Sequence, residues 1–245
     1  MRILLKMSWL EMKLFLREPL TVLFAFALPL TILYVMGGVF GNQSEEGFYR
    51  GVGSMDYYVP AYIALIAASV GLITLPTHLA SNRESGVLRR YRASGFSVLT
   101  VLGAQVVVTF VVAGISSMLL VGVALPVHDV VAPDSLLLVT LGFTLAVATF
   151  SAIGILLGSV MPTSRAAQAV GVLTWFVMLM IGGAGPPPEV LTGVMGSIGE
   201  WTPLRFTIEI MQEGWLGLDA GNSWLWATAI TIVAGGLSIR FLKWD

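Results

Sequence analysis

The chain alternates between long apolar stretches and short polar ones. Six of the apolar stretches are close to the roughly 20 residues that an α-helix needs to cross the hydrocarbon core of a bilayer. They lie at about residues 20–40, 57–80, 98–125, 135–160, 166–184 and 222–239. The pattern predicts an all-α integral membrane protein with six transmembrane helices, here called spans 1 to 6.

Two further segments predict helices that do not cross the membrane. In residues 1–18, the cations Arg2, Lys6, Lys13 and Arg17 share one face of a helix and apolar side chains cover the rest. This arrangement predicts an amphipathic helix that lies at the membrane surface. Residues 186–220, between spans 5 and 6, are intermediate in polarity and begin with three prolines. They predict two short re-entrant helices that are half-buried.

The composition leaves room for a membrane domain and little else. Of the 245 residues, 56% are hydrophobic and 11% are charged, and the mean hydropathy is +0.87. A soluble domain carries roughly 25% charged residues. We therefore expect residues 1–245 to form a single transmembrane domain. The N-terminus lacks the pattern of a removable signal peptide.

Lysine and arginine are distributed unevenly along the chain. Six crossings place 11 of the 13 Lys and Arg on the side that holds both termini, and only Arg50 and Arg205 on the other side. Cytoplasmic loops carry an excess of Lys and Arg, so both termini are predicted to be cytoplasmic in a multi-pass protein of the cell membrane. The net charge of −1 gives nucleic-acid binding no electrostatic support.

The spans contain few groups that could perform chemistry. As drawn, they hold no Asp, Glu, Lys or Arg, the groups on which ion-coupled transport usually depends. His78 is predicted to be an interfacial residue, although a lone His could also titrate. The sequence has no Cys, no P-loop and no hydrolase motif, so no catalytic, cofactor-binding or metal-binding residue is predicted. Gly154 and Gly158, four residues apart, predict close helix packing, within one subunit rather than between two.

The loop at residues 81–96 is the most informative polar segment. Ser81 and Glu84 have the spacing of a capping box, Gly86 permits a helix break, and residues 87–92 can form one or two helical turns. Leu88 and Tyr91 would then share a face. A short helix with several arginines could dock on a soluble partner. It could equally be an ordinary positively charged loop that only fixes the topology.

Three features occur in an order that resembles the ABC-2 permease family, and within it the daunorubicin-resistance-like drug exporters. They are the N-terminal helix that leads into Arg17-Glu18-Pro19, the loop from Arg83 to Arg92, and the proline-bearing stretch 186–203. The similarity covers essentially the full length and consists of layout plus short motifs. One departure is that family members often have Pro shortly after the loop's Ala-Thr, whereas this chain continues as Ala93-Ser94-Gly95-Phe96.

The resemblance implies a permease that pairs with a second copy or a paralogue, with membrane lipid around it, and binds two separate ATPase subunits. ATP and Mg²⁺ would belong to the ATPase, so the chain itself would be neither an enzyme nor a cofactor-binding protein. The loop between spans 2 and 3 would be the coupling helix, which receives the conformational change of the ATPase. The resemblance assigns ATPase coupling to Arg17, Glu84, Gly86, Val87, Leu88, Arg89, Tyr91 and Arg92.

By the same resemblance, the chain is expected to export amphipathic, drug-like or lipid-like molecules through a pathway lined by spans 1, 2 and 5. The pathway candidates are Phe24, Phe26, Tyr34, Tyr62, Phe176, Met178 and Met180. A gradient-driven carrier and a non-transporting scaffold or sensor remain alternatives. Arg205 and Glu209 have i, i+4 spacing and are predicted to form a stabilising surface pair rather than a substrate site.

Overall fold

The computed structural model describes residues 23–44, 47–95 and 97–241, together with residues 9, 12, 13 and 19. Within these residues the regular structure is helical, apart from an isolated bridge between Ser44 and Gly53. The predicted N-terminal helix, including Arg17, lies mostly outside the described residues. Lys13 Nζ lies 5.3 Å from the centre of the Trp9 ring.

The α-helices are numbered in chain order. Their bounds are α1 Leu28–Phe40, α2 Ser54–Ser69, α3 Leu75–Glu84, α4 Val87–Ala93, α5 Val98–His128, α6 Leu136–Val160, α7 Ser164–Ile181, α8 Gly193–Gly199, α9 Pro203–Leu216 and α10 Ser223–Phe241. A π-helical segment, Leu23–Ala27, precedes α1, and a second one, Val70–Thr74, joins α2 to α3. Short 3₁₀ turns occupy Tyr49–Gly51 and Pro188–Val190.

Five helices in the described part are long and apolar enough to cross a membrane. They are Ser54–Glu84, Thr100–His128, Leu136–Val160, Ser164–Ile181 and Ser223–Phe241. The region predicted as span 1 coincides with a shorter apolar helix, Leu23–Val39. The protein is thus an all-helical, multi-pass membrane protein, and a sixth crossing stays a prediction.

The helix Ser54–Glu84, here called the central helix, lies at the middle of the bundle. Every residue from Ser54 to Ala80 is buried, because α1, α5, α6, α7 and α9 all pack against it. A helix that is apolar on all sides can be surrounded by lipid or by other helices, and here other helices enclose it. His78, predicted to be an interfacial residue, is buried among neighbouring helices, as are Tyr57 and Tyr58.

Glycines allow α6 and α7 to approach the central helix closely at its π-helical segment. A Cβ atom on Gly154 would overlap the carbonyl oxygen of Gly71, and one on Gly171 would overlap that of Leu72. A Cβ on Gly158 would lie 3.0 Å from Pro76 Cα. The prediction that Gly154 and Gly158 mediate packing within one subunit is therefore confirmed.

Serine and threonine side chains define where four helices begin. Ser97, Ser135, Thr163 and Thr202 each precede a helix and accept a hydrogen bond from the backbone N–H three residues later. Such caps satisfy an N–H group that has no partner within the helix. At its other end, α5 continues through Pro126 to His128, slightly beyond the predicted end of span 3 at about residue 125.

The two ends of the bundle differ in charge. One end, here called the acidic end, contains the carboxylate of Asp56, whose Oδ1 accepts a hydrogen bond from Val131 N. Trp215 Nε1 donates to Val131 O at the same end. At the opposite end, here called the basic end, Arg83 Nη1 donates to Ser159 O across 2.7 Å. The acidic end also holds α8 and α9, in the stretch where two short helices were predicted.

Candidate functional site

The corner between the central helix and α4 is built differently from the sequence prediction. The capping box expected at Ser81 and Glu84 is wrong, because α3 continues through both residues and ends at Glu84. The break predicted at Gly86 is present: its φ is +69°, a left-handed conformation that glycine adopts without steric cost. Helix α4 then runs from Val87 to Ala93.

Arg83 and Glu84 attach this corner to the turn between α6 and α7. The guanidinium of Arg83 donates to the carbonyl oxygens of Ser159 and Met161. Glu84 Oε2 accepts a hydrogen bond of 2.9 Å from Ser164 Oγ. Carbonyl groups at the end of a helix lack partners within it, so Arg83 satisfies acceptors that α6 leaves open. The end of the central helix is thereby joined to its neighbours.

Leu88 anchors α4 to the membrane domain itself. Its side chain is 3% exposed and belongs to an apolar cluster that includes Leu79, Leu102 and Ile155. Tyr91 is partly buried against the same cluster. The shared face predicted for Leu88 and Tyr91 therefore faces inward, toward the bundle. A movement of α4 would act directly on the helices that it packs against.

The outer face of α4 carries positive charge. Arg89 and Arg90 are exposed, and Val87 is half-buried. The side chain of Arg92 and all of Arg17 are outside the described part of the structure. Of the residues assigned to ATPase coupling, Arg89 thus faces outward, Leu88 and Tyr91 face the bundle, Glu84 binds Ser164, and Gly86 forms the break. Arg90, which the sequence reasoning did not include, shares the outward face.

An apolar cavity of about 520 Å³ lies between two walls. One wall is the π-helical segment Leu23–Ala27 with the start of α1, and the other is α7. Phe24, Leu28 and Ile32 line one side, at four-residue spacing, and Trp175, Phe176 and Leu179 line the other. The rings of Phe24 and Trp175 meet edge to face, with centroids 5.1 Å apart. Trp175 Nε1 is buried and has no hydrogen-bond partner among the described residues.

A second cavity of about 490 Å³ follows toward the acidic end. Met36 continues the four-residue series of the first cavity, Met180 continues α7, and Tyr58, Pro186 and Pro187 close the far side. Together the two cavities, here called the α1–α7 strip, extend from Phe24 to Met36. At 1.5 Å per residue this is about 18 Å, a large part of a hydrocarbon core.

The predicted pathway residues do not all lie on this strip. Phe24, Phe176 and Met180 line it, whereas Phe26 and Met178 pack against the main core. Tyr34 is 62% exposed and faces His128, with ring centroids 6.0 Å apart. Tyr62 is fully buried and stacks on Tyr58.

Span 2 therefore contributes little to the strip, because the neighbouring helices enclose span 2. Sequence reasoning missed Leu28, Ile32 and Trp175. The four-residue repeat of Phe24, Leu28 and Ile32 was a signal that could have found two of them.

Polar groups elsewhere in the bundle form structural pairs. Arg205 Nε and Glu209 Oε1 are 2.7 Å apart in the predicted i, i+4 arrangement, with both side chains partly buried. Arg50 Nη1 donates to Gln212 Oε1 across 3.0 Å. Among the described residues, no group of three or more His, Asp or Glu is placed to hold a metal ion.

The chain is similar to a known protein family. A family model described as "ABC-2 family transporter protein" matches residues 39–240, which include the whole described chain from α2 to the last turn of α10. No curated protein matches the chain.

Proposed function

The chain belongs to the ABC-2 transporter family, and from this membership we propose that it is the permease subunit of an ABC exporter. Membrane domains of this family are generally not enzymes, and they work with ABC ATPase subunits. The further proposal is that a separate ATPase drives outward movement of amphipathic, drug-like or lipid-like molecules, as in the daunorubicin-resistance-like exporters. ATP and Mg²⁺ would be bound by that partner.

The observation that carries this proposal is the construction of α4. A seven-residue helix exposes Arg89 and Arg90 at the basic end while Leu88 holds it in an apolar cluster of the bundle. An ordinary topology loop needs only its positive charges. A helix with a buried anchor and a charged outer face can bind a soluble partner and transmit the conformational change of that partner to the central helix.

The proposed orientation places the basic end, and both termini, in the cytoplasm of a cell with this protein in its plasma membrane. The described residues Arg83, Arg89, Arg90, Arg165 and Arg240 lie at or near that end, in agreement with the excess of cations on cytoplasmic loops. Two ATPase subunits would bind there, one to each permease of a pair. Six crossings, with Leu23–Val39 as the first, fit this arrangement.

The proposed substrate pathway is the α1–α7 strip, facing the same strip of a second copy or a paralogue. Its lining is almost wholly apolar, which suits amphipathic molecules that enter from the lipid. Leu173 and Phe176 on α7 are exposed, as large apolar side chains are when they face lipid or another subunit. A change in the central helix would alter the strip through Tyr58 and through the packing of α7 on Leu72.

Co-purification tests the ATPase contact. The chain is expressed together with an ABC ATPase subunit, the proposed partner. Wild type is compared with the Arg89→Glu, Arg90→Glu double variant and with Arg240→Glu. Arg240 is exposed at the end of α10. We expect the double variant to lose the ATPase while Arg240→Glu keeps it. Equal recovery of the ATPase by both variants would show that α4 is not the contact.

Cysteine cross-linking tests the second copy. The natural chain has no Cys, so each introduced thiol is the only one. Phe176→Cys on the strip is compared with Met118→Cys, an exposed position on α5, using a short bifunctional maleimide in native membranes. We expect a cross-linked dimer from Phe176→Cys alone. A dimer formed only by Met118→Cys would place the pairing surface on α5 and overturn this part of the proposal.

A further inference from the structure

A separate cavity of about 410 Å³ lies at the acidic end, outside the proposed coupling site and strip. It lies where α9 and α10 begin and includes the loop that joins them. Its volume falls in the range of small-molecule sites. The residues that matter to the argument are Glu200, Trp201, Phe206, Glu209, Asp219 and Trp226. This set is here called the Trp201–Trp226 pocket.

Two indole rings form a corner in this pocket. The rings of Trp201 and Trp226 have centroids 5.3 Å apart and an interplanar angle of 75°. Phe206 stacks on Trp226 at 6.4 Å and supports it from the buried side. Trp201 is 63% exposed and Trp226 is 40% exposed. Ring area is therefore available to a ligand, and the negative face of an indole attracts a cation.

Carboxylates complete the lining of the pocket. Glu209 is already paired with Arg205 and accepts a hydrogen bond from Ser223 Oγ. Glu200 and Asp219 are exposed. Asp219 Oδ1 accepts a hydrogen bond from Gly221 N across 2.8 Å, and the nearby Arg50 donates to the backbone oxygen of Asp219 rather than to its carboxylate. No Lys or Arg is among the described residues that line the pocket.

The charge of the surrounding surface favours a cation as well. The described residues of the acidic end hold two guanidinium groups, those of Arg50 and Arg205. The same end also holds the carboxylates of Asp56, Asp129, Asp134, Glu189, Glu200, Glu209, Glu213 and Asp219. Such an excess raises the local concentration of cations and repels anions.

The ligand chemistry follows from the combination of groups. Carboxylates alone would suit any cation, but an indole corner selects cations that are weakly hydrated and carry apolar surface. We propose that the Trp201–Trp226 pocket binds the alkylated ammonium group of an organic cation. The group could belong to a soluble molecule or to a choline lipid headgroup, and the chemistry of recognition is the same. The proposal does not depend on ATPase coupling or on the strip.

Ligand-observed NMR tests the binding of a soluble cation. Saturation transfer to choline is titrated on the purified protein in a maltoside detergent. The control ligand, 3,3-dimethylbutan-1-ol, has the same shape with carbon in place of the charged nitrogen. We expect choline to bind, and its neutral isostere to bind at least several-fold more weakly. Equal binding of the two ligands would overturn the proposal, because a site that ignores the charge is only an apolar surface.

Variants then test the residues. Trp201→Leu removes one wall of the corner and Glu200→Gln removes one carboxylate, and both positions are exposed, so the fold is expected to tolerate them. Glu189→Gln removes a carboxylate of the same end that does not line the pocket. We expect Trp201→Leu to weaken choline binding about 3- to 30-fold, and Glu189→Gln to leave it unchanged. An equal effect of Trp201→Leu and Glu189→Gln would contradict the assignment.

Native mass spectrometry distinguishes the two sources of the cation. Wild type and Trp201→Leu are exchanged into mixed phosphatidylcholine and phosphatidylglycerol, and the lipids that stay bound are counted. If wild type retains phosphatidylcholine and Trp201→Leu does not, the bound cation is a lipid headgroup. Choline binding without that preference would identify a soluble cation. If neither choline nor phosphatidylcholine responds to Trp201→Leu, the two tryptophans are interfacial anchors and the proposal fails.

Discussion

Replacing Leu88 by Ala tests how firmly α4 is attached to the membrane domain. The change removes the part of the side chain that enters the cluster of Leu79, Leu102 and Ile155. Three carbon groups are lost, and at about 0.8 kcal/mol each the transfer contribution is about 2.4 kcal/mol. A cavity that does not collapse raises the total to about 3–5 kcal/mol. Ala has the higher helix propensity, so the loss is in docking rather than in helix formation.

Hydrogen exchange measures this loss directly. The backbone N–H of Arg90 donates to Gly86 O, and that of Ser94 donates to Arg90 O, so both amides are protected while α4 stays folded and docked. A loss of about 2.4 kcal/mol corresponds to about 60-fold faster exchange through local opening. Exchange is followed by mass spectrometry on the purified chain without any ATPase.

The matched control is Arg89→Ala, one residue away on the exposed face of the same helix. Surface substitutions usually change stability by less than about 0.5 kcal/mol, so exchange in α4 should change by no more than about twofold. The reasoning fails if Leu88→Ala leaves exchange within about threefold of wild type, or if both variants accelerate it equally. Either result would mean that Leu88 does not hold α4 on the bundle.

Three further predictions concern the packing and the caps, each measured by thermal unfolding in detergent or by exchange. Gly154→Leu forces the central helix and α6 apart and should lower the free energy of unfolding by about 1–3 kcal/mol or more. Gly235 has open space around it, so Gly235→Leu should be tolerated. Similar losses of stability in the two variants would contradict the close approach of the helices. Asn42→Ala removes the side-chain oxygen that accepts from two N–H groups at the start of α2 and should cost about 1–2 kcal/mol, unlike Gln43→Ala at an exposed neighbour. Arg83→Lys keeps the charge but cannot bind two carbonyls as a fork, so exchange in the last turn of α3 should rise; unchanged exchange would refute that role.

The parts of this fold that were predictable are those that the bilayer dictates. Backbone groups cannot face lipid unpaired, so a long apolar stretch has to be a helix, and hydropathy locates it. The break at Gly86 was equally local, because only a residue without Cβ adopts φ +69° freely at that position. Neither prediction required knowledge of which helices are neighbours.

The features that the sequence did not predict depend on neighbours. Ser81 and Glu84 have the form of a capping box, but contacts of Arg83 with the end of α6 keep α3 helical past Ser81. The resemblance assigned Leu88 to ATPase coupling, and that assignment stays a prediction. The sequence shows that Leu88 shares a face with Tyr91, but not that this face points toward the bundle. Tyr62 was a pathway candidate on span 2, and the sequence could not show that the enclosure of the central helix buries it.

The most direct test of the central claim is ATP-driven movement of an amphipathic molecule. The permease and its ATPase are reconstituted in liposomes, and a fluorescent lipid and a fluorescent amphipathic dye are followed with ATP, with a non-hydrolysable analogue, and without the ATPase. The account predicts movement only with ATP and the ATPase, and its loss in the Arg89→Glu, Arg90→Glu variant. Movement that persists without the ATPase would indicate a gradient-driven carrier. ATP hydrolysis coupled to the permease with no movement of any reporter would favour a non-transporting membrane component.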